Sequence, residues 1–171
     1  RKRYEDRVQA VTTASASRIA QARFAAYGDG EYPDATFTLR LSYAPIKGYT
    51  NAAGVAVPWA SDFAGLFARA TGVEPFALTP NWLAAKSTLK LKTPYNFVST
   101  ADTHGGNSGS PTVNTKGELI GILFDGNIEG LPNQYLYRDT RGRSVHVASQ
   151  GIVESLRKVY KANSVLKELG Y

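Results

Sequence analysis

A glycine- and serine-rich turn constrains the fold of this chain more than any other stretch. Residues 103–111 read THGGNSGSP, and a strongly apolar run follows at residues 119–124. Glycine adopts backbone conformations that other residues avoid, so Gly106 and Gly109 allow the chain to bend sharply around Ser108. A serine in a tight turn before an apolar strand is typical of a nucleophile on an elbow.

The chemistry of such an elbow is acyl transfer. Turn conformations rich in glycine aim successive N–H groups at one point, and the N–H groups of Gly106 and Ser108 are the candidate donors to an oxyanion. The Ser108 hydroxyl would then attack a carbonyl carbon. A hairpin loop without any chemistry also contains glycine and serine, and this alternative stays open.

A nucleophilic serine requires a base, and the chain offers two histidines. His104 lies only four residues before Ser108 in the same turn, which is an awkward geometry for a base. His146 lies in an alternating Ser-Val-His-Val segment, where a packed or surface histidine is the usual case. The sequence therefore predicts a nucleophile without its base.

Several segments together resemble known families. The order of elbow, strand, turn and strand is similar to the nucleophile region of trypsin-like serine peptidases. A closer resemblance is to the dipeptidyl peptidases of peptidase family S46, and it extends from about residue 32 to the C-terminus. It rests on GGNSGSP at 105–111, FDGNIEG at 124–130, YPDATFTLRLSY at 32–43, KGY at 47–49 and RSVHV at 143–147.

This resemblance implies a mainly β fold. The chain would contribute the second barrel of a trypsin/chymotrypsin-like double β-barrel, with a C-terminal helix. Residues 1–28 would be the end of an inserted helical domain, and residues 29–171 the C-terminal part of the catalytic domain. In this family the triad histidine and aspartate precede the serine, upstream of the present sequence, so we expect these residues alone to be inactive.

The resemblance also implies two substrate-binding residues. Asp125 follows an apolar strand, where a turn or cap is the usual role of an aspartate, but the matching family residue holds the substrate's free α-amino group. Gly126 would line the pocket for the second substrate residue, whose carbonyl is attacked. Relatives that cut after acidic residues carry arginine there, so Gly126 predicts cleavage after hydrophobic residues.

The expected function is therefore release of dipeptides from the free N-terminus of peptides through an acyl-enzyme. Two alternatives stay open: a trypsin-like endopeptidase of the glutamyl or quality-control type, and a catalytically silent trypsin-like binding module. The partners we expect are peptides with a free N-terminus and the upstream part of the catalytic domain, and a homodimer is compatible with the sequence. A periplasmic or secreted location follows from the resemblance alone.

Composition adds limits to these expectations. The net charge is +6, but the 20 lysines and arginines are scattered, which favours a solvated surface over nucleic-acid binding. The chain has no cysteine, and no apolar run approaches the length of a membrane span. We expect no metal, no cofactor and no membrane partner. The chain begins without methionine or a signal peptide, so we interpret it as a piece of a larger protein.

Periodicity predicts the secondary structure. The sequence predicts helices at 4–27, 61–72, 80–86 and 150–169, a loop at 51–58, and strands at 36–43, 89–91, 97–100, 119–124, 134–137 and 144–147.

Overall fold

The computed structural model describes residues 1–28 and 39–171. The chain divides into two compact units, Arg1–Leu41 and Ser42–Tyr171. In the first unit, α1 (Lys2–Tyr4), a π-helical segment (Glu5–Gln9) and α2 (Ala10–Tyr27) follow one another without a break, and every side chain in them is exposed. The helix predicted at 4–27 is confirmed. Among the described residues, no helix is long and apolar enough to cross a membrane.

The strand predicted at 36–43 is the clearest error within the described residues. Residues 36–38 lie outside them, and residues 39–43 form no strand. Leu39, Leu41 and Tyr43 are between 82% and 100% exposed, so the alternation buries nothing. Alternation predicts a strand only when a neighbouring strand and a buried face are both present.

Two antiparallel sheets form the second unit. β1 (Tyr49–Thr50) and β2 (Ala56–Val57) form a small hairpin, so the loop predicted at 51–58 contains one strand. The larger sheet has the order β3-β4-β7-β6-β5, and all its neighbours are antiparallel. Its strands are β3 (Ala60–Asp62), β4 (Pro94–Ser99), β5 (Pro111–Val113), β6 (Leu119–Gly126) and β7 (Ser144–Ala148).

The larger sheet is open in the part of the chain that the structure describes. Its edge strands β3 and β5 do not pair with each other, so the predicted barrel is not closed. A mainly β fold with a few helices is nevertheless what the structure shows. Antiparallel strands with short connections bring residues 103–111 and the end of β6 to the same region of the sheet.

The remaining helices differ from the prediction in their bounds. α3 is Phe63–Arg69, and Asp62 caps it by accepting the Gly65 N–H at 2.9 Å. α4 is Pro80–Ala85, close to the prediction. The predicted 150–169 helix is two helices, α5 (Ser149–Lys158) and α6 (Asn163–Glu168). Lys161 adopts a φ of +52° between them, which no continuous helix allows.

Two of the predicted strands are absent. Residues 134–137 contain the end of a 3₁₀ helix, Ile128–Gln134, and the N–H groups of Tyr135 and Leu136 both donate to the Pro132 carbonyl, so they are not available to a neighbouring strand. Residues 89–91 lie in turns before β4. Leu89 is buried there by packing against α3 and α4, which explains its apolar character without a strand.

Aromatic side chains form the core beside the β3–β4 edge. Phe63 is fully buried, and its ring lies 5.3 Å from that of Tyr95 and 5.8 Å from that of Trp82. Ala85, Leu89 and Val159 complete the buried cluster. α3, α4 and α5 therefore cover one end of the sheet, away from the residues 103–111.

A buried histidine stabilises the centre of the sheet. His146 on β7 is 3% exposed, its ring stacks on Phe97 at 4.7 Å, and its two nitrogens pair with Ser99 Oγ and Thr112 Oγ1, each at 2.8 Å. Gly121 on the next strand makes room for this stack, since a Cβ there would lie 2.5 Å from the Phe97 ring. Phe97 covers the face of the His146 ring and a hydroxyl group pairs with each of its nitrogens, so the buried ring is neutral.

Acid should destabilise the fold through His146. Burial lowers the pKa of His146 to about 4, whereas an unfolded histidine has a pKa of about 6.5. Between these values the unfolded state binds more protons, so this stabilisation is complete above pH 6.5 and decreases as the pH falls towards 4. We expect a loss on the order of 2–3 kcal/mol in the free energy of unfolding.

Urea unfolding at pH 7 and pH 4 of wild type and His146→Gln measures this loss. The free energy of unfolding of His146→Gln should decrease less between pH 7 and pH 4 than that of the wild type. His104→Gln changes an exposed histidine and should show the same decrease as the wild type. Parallel pH dependences in wild type and His146→Gln would contradict the assignment.

Candidate active site

The elbow is built by glycines and by one asparagine. Gly106 and Gly109 adopt φ values of +101° and +92°, in the left-handed region that favours glycine. Asn107 closes the loop: its N–H donates to the His104 carbonyl at 3.1 Å, and its Oδ1 accepts the His104 N–H at 2.8 Å. The Ser110 N–H donates to the Asn107 carbonyl at 3.0 Å. The sequence between the two glycines therefore fixes where Ser108 lies.

Hydrogen bonds tie this elbow to β6. The Gly109 N–H donates to the Leu123 carbonyl at 2.7 Å, and the Leu123 N–H donates to the Ser110 carbonyl at 3.0 Å. The Ser108 Oγ donates to the Phe124 carbonyl at 3.1 Å. The pairing of β6 with β7 is irregular between Leu123 and Asp125, which makes Phe124 a bulged residue. Bulges are common beside active sites because they redirect side chains and carbonyls.

The candidate oxyanion donors have no partner within the described chain. The neighbouring N–H groups of Asn107 and Gly109 are both bonded, but those of Gly106 and Ser108 donate to no acceptor among residues 1–28 and 39–171. Two N–H groups of one tight turn thus remain available to a substrate oxygen. Unbonded donors are one requirement of an oxyanion hole.

A cavity of about 200 Å³ lies beside the elbow, and we refer to it as the Ser108 cavity. Ser108, Asp125 and Gly126 all line it, although 16 residues or more separate Ser108 from the other two. Gly106 does not line it, but its neighbour Gly105 does. Three of the four residues singled out in the sequence therefore share one cavity.

Asp125 lies at the exposed end of β6. One of its carboxylate oxygens, Oδ1, accepts the N–H of Gly126 at 2.8 Å, and no cation pairs with the carboxylate among the residues described. The side chain is therefore an accessible negative charge at the mouth of the Ser108 cavity. Such a group can bind an ammonium ion without displacing another cation.

The Gly126 position leaves room in the cavity wall. A Cβ built at Gly126 would meet only the Arg143 carbonyl, at 3.6 Å, which is an ordinary contact. Its backbone does not require glycine, because its φ lies outside the left-handed region. The absence of a side chain at this position therefore shapes the cavity and is not imposed by the fold.

His104 is not placed as a base for Ser108. Its Nε2 lies 3.5 Å from Asp102 Oδ1, and Ser108 Oγ donates instead to the Phe124 carbonyl. His104 does line the Ser108 cavity, with 41% of its side chain exposed. The other histidine, His146, is buried among Phe97, Ser99 and Thr112 and does not line the cavity.

Arg143 is a wall residue that was not among the site residues expected from the sequence. It is 4% exposed, and its guanidinium donates to the backbone carbonyls of Lys47, Gly48, Asp139 and Gly142 at 2.6–2.9 Å. It thereby joins two distant chain segments behind the cavity. Its position becomes clear only from the fold, because residues 47 and 143 are far apart in sequence.

Thr103 and Ser144 are two further wall residues that sequence reasoning missed. Their hydroxyl oxygens lie 2.6 Å apart, and Ser144 Oγ also donates to the Ala101 carbonyl at 2.7 Å. Ser144 reaches the cavity because it pairs with Gly126 in the register of β6 and β7. That register could not be determined from residue types alone.

Comparison with known proteins identifies relatives of this site. The chain is 32% identical over 168 residues to the Asp/Glu-specific dipeptidyl-peptidase of Shewanella putrefaciens. This alignment covers 81% of this chain and 23% of that protein. It is 34% identical over 147 residues to dipeptidyl-peptidase 7 of Porphyromonas endodontalis, covering 80% and 18%. The chain therefore spans about a fifth of the length of these relatives.

Solved structures show the same fold. The crystal structure of Porphyromonas endodontalis DPP11 in complex with the dipeptide Arg-Glu superimposes with a TM-score of 0.79 at 28% identity, covering 86% of this chain and 22% of that one. The profile of the family described as peptidase S46 matches residues 1–171. This chain belongs to peptidase family S46.

Proposed function

We propose that this chain supplies the nucleophile and the substrate-recognition residues of a serine dipeptidyl aminopeptidase. The observation that carries the proposal is the Ser108 cavity, which joins a serine on a glycine elbow to an accessible carboxylate, Asp125. Names of the relatives support it, since several are dipeptidyl-peptidases. The nucleophile attacks the carbonyl of the second substrate residue, and the acyl-enzyme then releases the dipeptide to water.

Each step assigns a role to a described group. Ser108 Oγ attacks, and its proton passes to a histidine base that we expect on another part of the protein, together with the aspartate that orients that base. To attack, Ser108 must release its hydrogen bond to the Phe124 carbonyl. The N–H groups of Gly106 and Ser108 stabilise the oxyanion. Asp125 binds the α-amino group, so that two residues separate the N-terminus from the scissile bond.

Gly126 sets the side-chain preference in this proposal. Without a cation at position 126, an acidic side chain entering the cavity loses water and gains no partner from this position. Apolar side chains gain about 1.5–3 kcal/mol each by burial. We therefore propose cleavage after hydrophobic residues, unlike relatives whose names state Asp/Glu specificity.

The proposal also covers the surroundings of the site. The open sheet would be part of the second of two barrels, which strands from the rest of the protein complete. Residues 1–28 would end an inserted helical domain. Residues 29–171 would then be the C-terminal part of the catalytic domain. The periplasm or the exterior is the proposed location, since free peptides are the proposed substrates.

Exchange of Asp125 for asparagine tests the recognition of the N-terminus. In the complete gene product, Asp125→Asn should lower kcat/KM for peptides with a free amine by about 10- to 100-fold, because a charge-assisted hydrogen bond contributes about 1.5–3 kcal/mol. The asparagine Oδ1 can still accept the Gly126 N–H, so the fold should persist. Hydrolysis of fluorogenic dipeptidyl substrates measures the change.

Two controls accompany this exchange. Glu129→Gln removes a nearby carboxylate that does not line the Ser108 cavity, and it should have little effect. An N-acetylated peptide should be a poor substrate for the wild type. Equal hydrolysis of acetylated and free peptides would contradict the dipeptidyl aminopeptidase and favour an endopeptidase.

A further inference from the structure

The floor of the Ser108 cavity carries two hydroxyl groups whose protons have fixed directions. Ser144 Oγ lies 2.7 Å from the Ala101 carbonyl, which can only accept, so the single Ser144 proton points to that carbonyl. The 2.6 Å hydrogen bond between Thr103 and Ser144 therefore takes its proton from Thr103 Oγ1. Both hydroxyl protons thus bond to oxygens of the protein itself, so towards a ligand the two hydroxyl groups can only accept hydrogen bonds.

The neighbouring polar side chains direct donors to the backbone as well. The Asn127 amide donates to the Arg141 carbonyl at 2.8 Å, and the Asn133 amide donates to the Arg138 carbonyl at 3.2 Å. The Arg143 guanidinium donates to four carbonyls. The hydroxyl pair thus presents only acceptors to the cavity. Donors are present elsewhere in the wall, because each of these amide nitrogens keeps a second proton, the guanidinium keeps a fifth, and Gln134 lines the same cavity.

The volume and charge of the Ser108 cavity limit which substrate side chain fits in it. A cavity of about 150 Å³ in another protein binds benzene, so the Ser108 cavity, at about 200 Å³, can hold an aromatic ring. Leu123 and Leu131 give its walls apolar surface. The positive charge of Arg143 in the same wall disfavours a lysine or arginine side chain. It does not make the cavity a carboxylate site, because four of the five guanidinium N–H groups donate to backbone carbonyls and no parallel pair is left for a carboxylate. The hydroxyl oxygens of Thr103 and Ser144 accept hydrogen bonds, and the walls include apolar surface. This combination favours a neutral aromatic side chain that carries a hydrogen-bond donor at the far end of its ring.

We infer that Thr103 and Ser144 are specificity-determining residues, and that the cavity prefers tyrosine to phenylalanine as the second substrate residue. The tyrosine hydroxyl donates to Thr103 Oγ1, because the buried Ser144 Oγ already accepts the Thr103 proton and donates to the Ala101 carbonyl; Ser144 therefore orients the Thr103 hydroxyl. Phenylalanine fills the same walls but displaces water from the lone pairs of Thr103 Oγ1 without supplying a donor, which costs free energy. This inference rests on the proposed function, because it takes the Ser108 cavity as the pocket for that residue.

The test compares matched dipeptidyl substrates that end in Tyr or Phe, using the complete gene product. The wild type should show a kcat/KM about tenfold higher for Tyr than for Phe, the effect of one hydrogen bond. Thr103→Val should lower the Tyr-to-Phe ratio to about one, and Thr103→Ser, which keeps the hydroxyl, should restore it. Thr71→Val removes an exposed hydroxyl bonded to the Val73 carbonyl and should leave the ratio unchanged.

The outcomes separate this inference from the proposed function. Cleavage after hydrophobic residues with Phe equal to or better than Tyr overturns the inference and leaves the dipeptidyl aminopeptidase standing. Preference for acidic residues, or no release of dipeptides, overturns both. Calorimetric binding of Ala-Tyr and Ala-Phe to Ser108→Ala gives a second measurement that does not depend on turnover. Equal dissociation constants for these dipeptides would also refute the preference.

Discussion

Replacement of Ser108 by alanine should lower kcat by on the order of 10⁴-fold, the loss typical of a triad nucleophile. That change corresponds to about 5.5 kcal/mol of transition-state stabilisation. The fold should survive, because the only hydrogen bond of the Ser108 hydroxyl within residues 1–28 and 39–171 is to the Phe124 carbonyl at 3.1 Å, and both residues are exposed. Dipeptide binding should therefore persist in the variant.

Kinetics with a fluorogenic dipeptidyl substrate and calorimetry with the product dipeptide measure the two quantities. Ser110→Ala is the matched control, since Ser110 lies in the same loop and contributes only backbone hydrogen bonds to it. It should change kcat by less than about threefold. A phosphonofluoridate or sulfonyl fluoride should label Ser108, and mass spectrometry that locates the adduct on another serine would exclude Ser108 as the nucleophile.

Replacement of Gly126 by arginine should reverse the side-chain preference. A Cβ at this position meets only the Arg143 carbonyl at 3.6 Å, so a side chain can enter the cavity without displacing the backbone. A guanidinium there grips a carboxylate through two parallel hydrogen bonds and fills space that apolar side chains use. We expect the ratio of kcat/KM for Glu over Phe to rise by on the order of 10²-fold.

The matched control for this variant is Gly126→Gln. Glutamine fills part of the cavity without a charge, so it should reduce cleavage after Phe without promoting cleavage after Glu. A panel of substrates that differ only in the second residue measures both ratios. A wild type that already prefers Asp or Glu would refute the assignment of Gly126 to the cavity wall that selects this residue.

The elbow could be predicted from the sequence because its conformation depends on residue type. Gly106 and Gly109 adopt positive φ values that few other residues tolerate, so their spacing around Ser108 is visible in the sequence itself. Asp125 and Gly126 were selected by family resemblance, since a carboxylate after a strand has many ordinary roles. Their shared cavity with Ser108 depends on the hydrogen bonds between the elbow and β6.

Other features could not be predicted because they depend on pairing between distant segments. Thr103, which follows β4, meets Ser144 through the pairing of β4 with β7, in which Ser99 lies opposite Ser144. The position of Arg143 depends on its bonds to residues 47 and 48. The alternation at residues 39–43 predicted a strand, yet no neighbour pairs with those residues in the described chain. Local sequence patterns thus predicted turns and helices more accurately than they predicted which strands pair and whether the sheet closes.

The bulge at Phe124 has a consequence for the length of the product. Asp125 follows Phe124 on β6, and backbone hydrogen bonds between Gly109, Ser110 and Leu123 tie the elbow that carries Ser108 to the same strand. In the proposed enzyme, the distance between Ser108 and Asp125 is therefore constant and does not depend on how other parts of the protein move. Motion that brings the base towards Ser108 would then change how fast peptides are cut, while every cut still removes two residues.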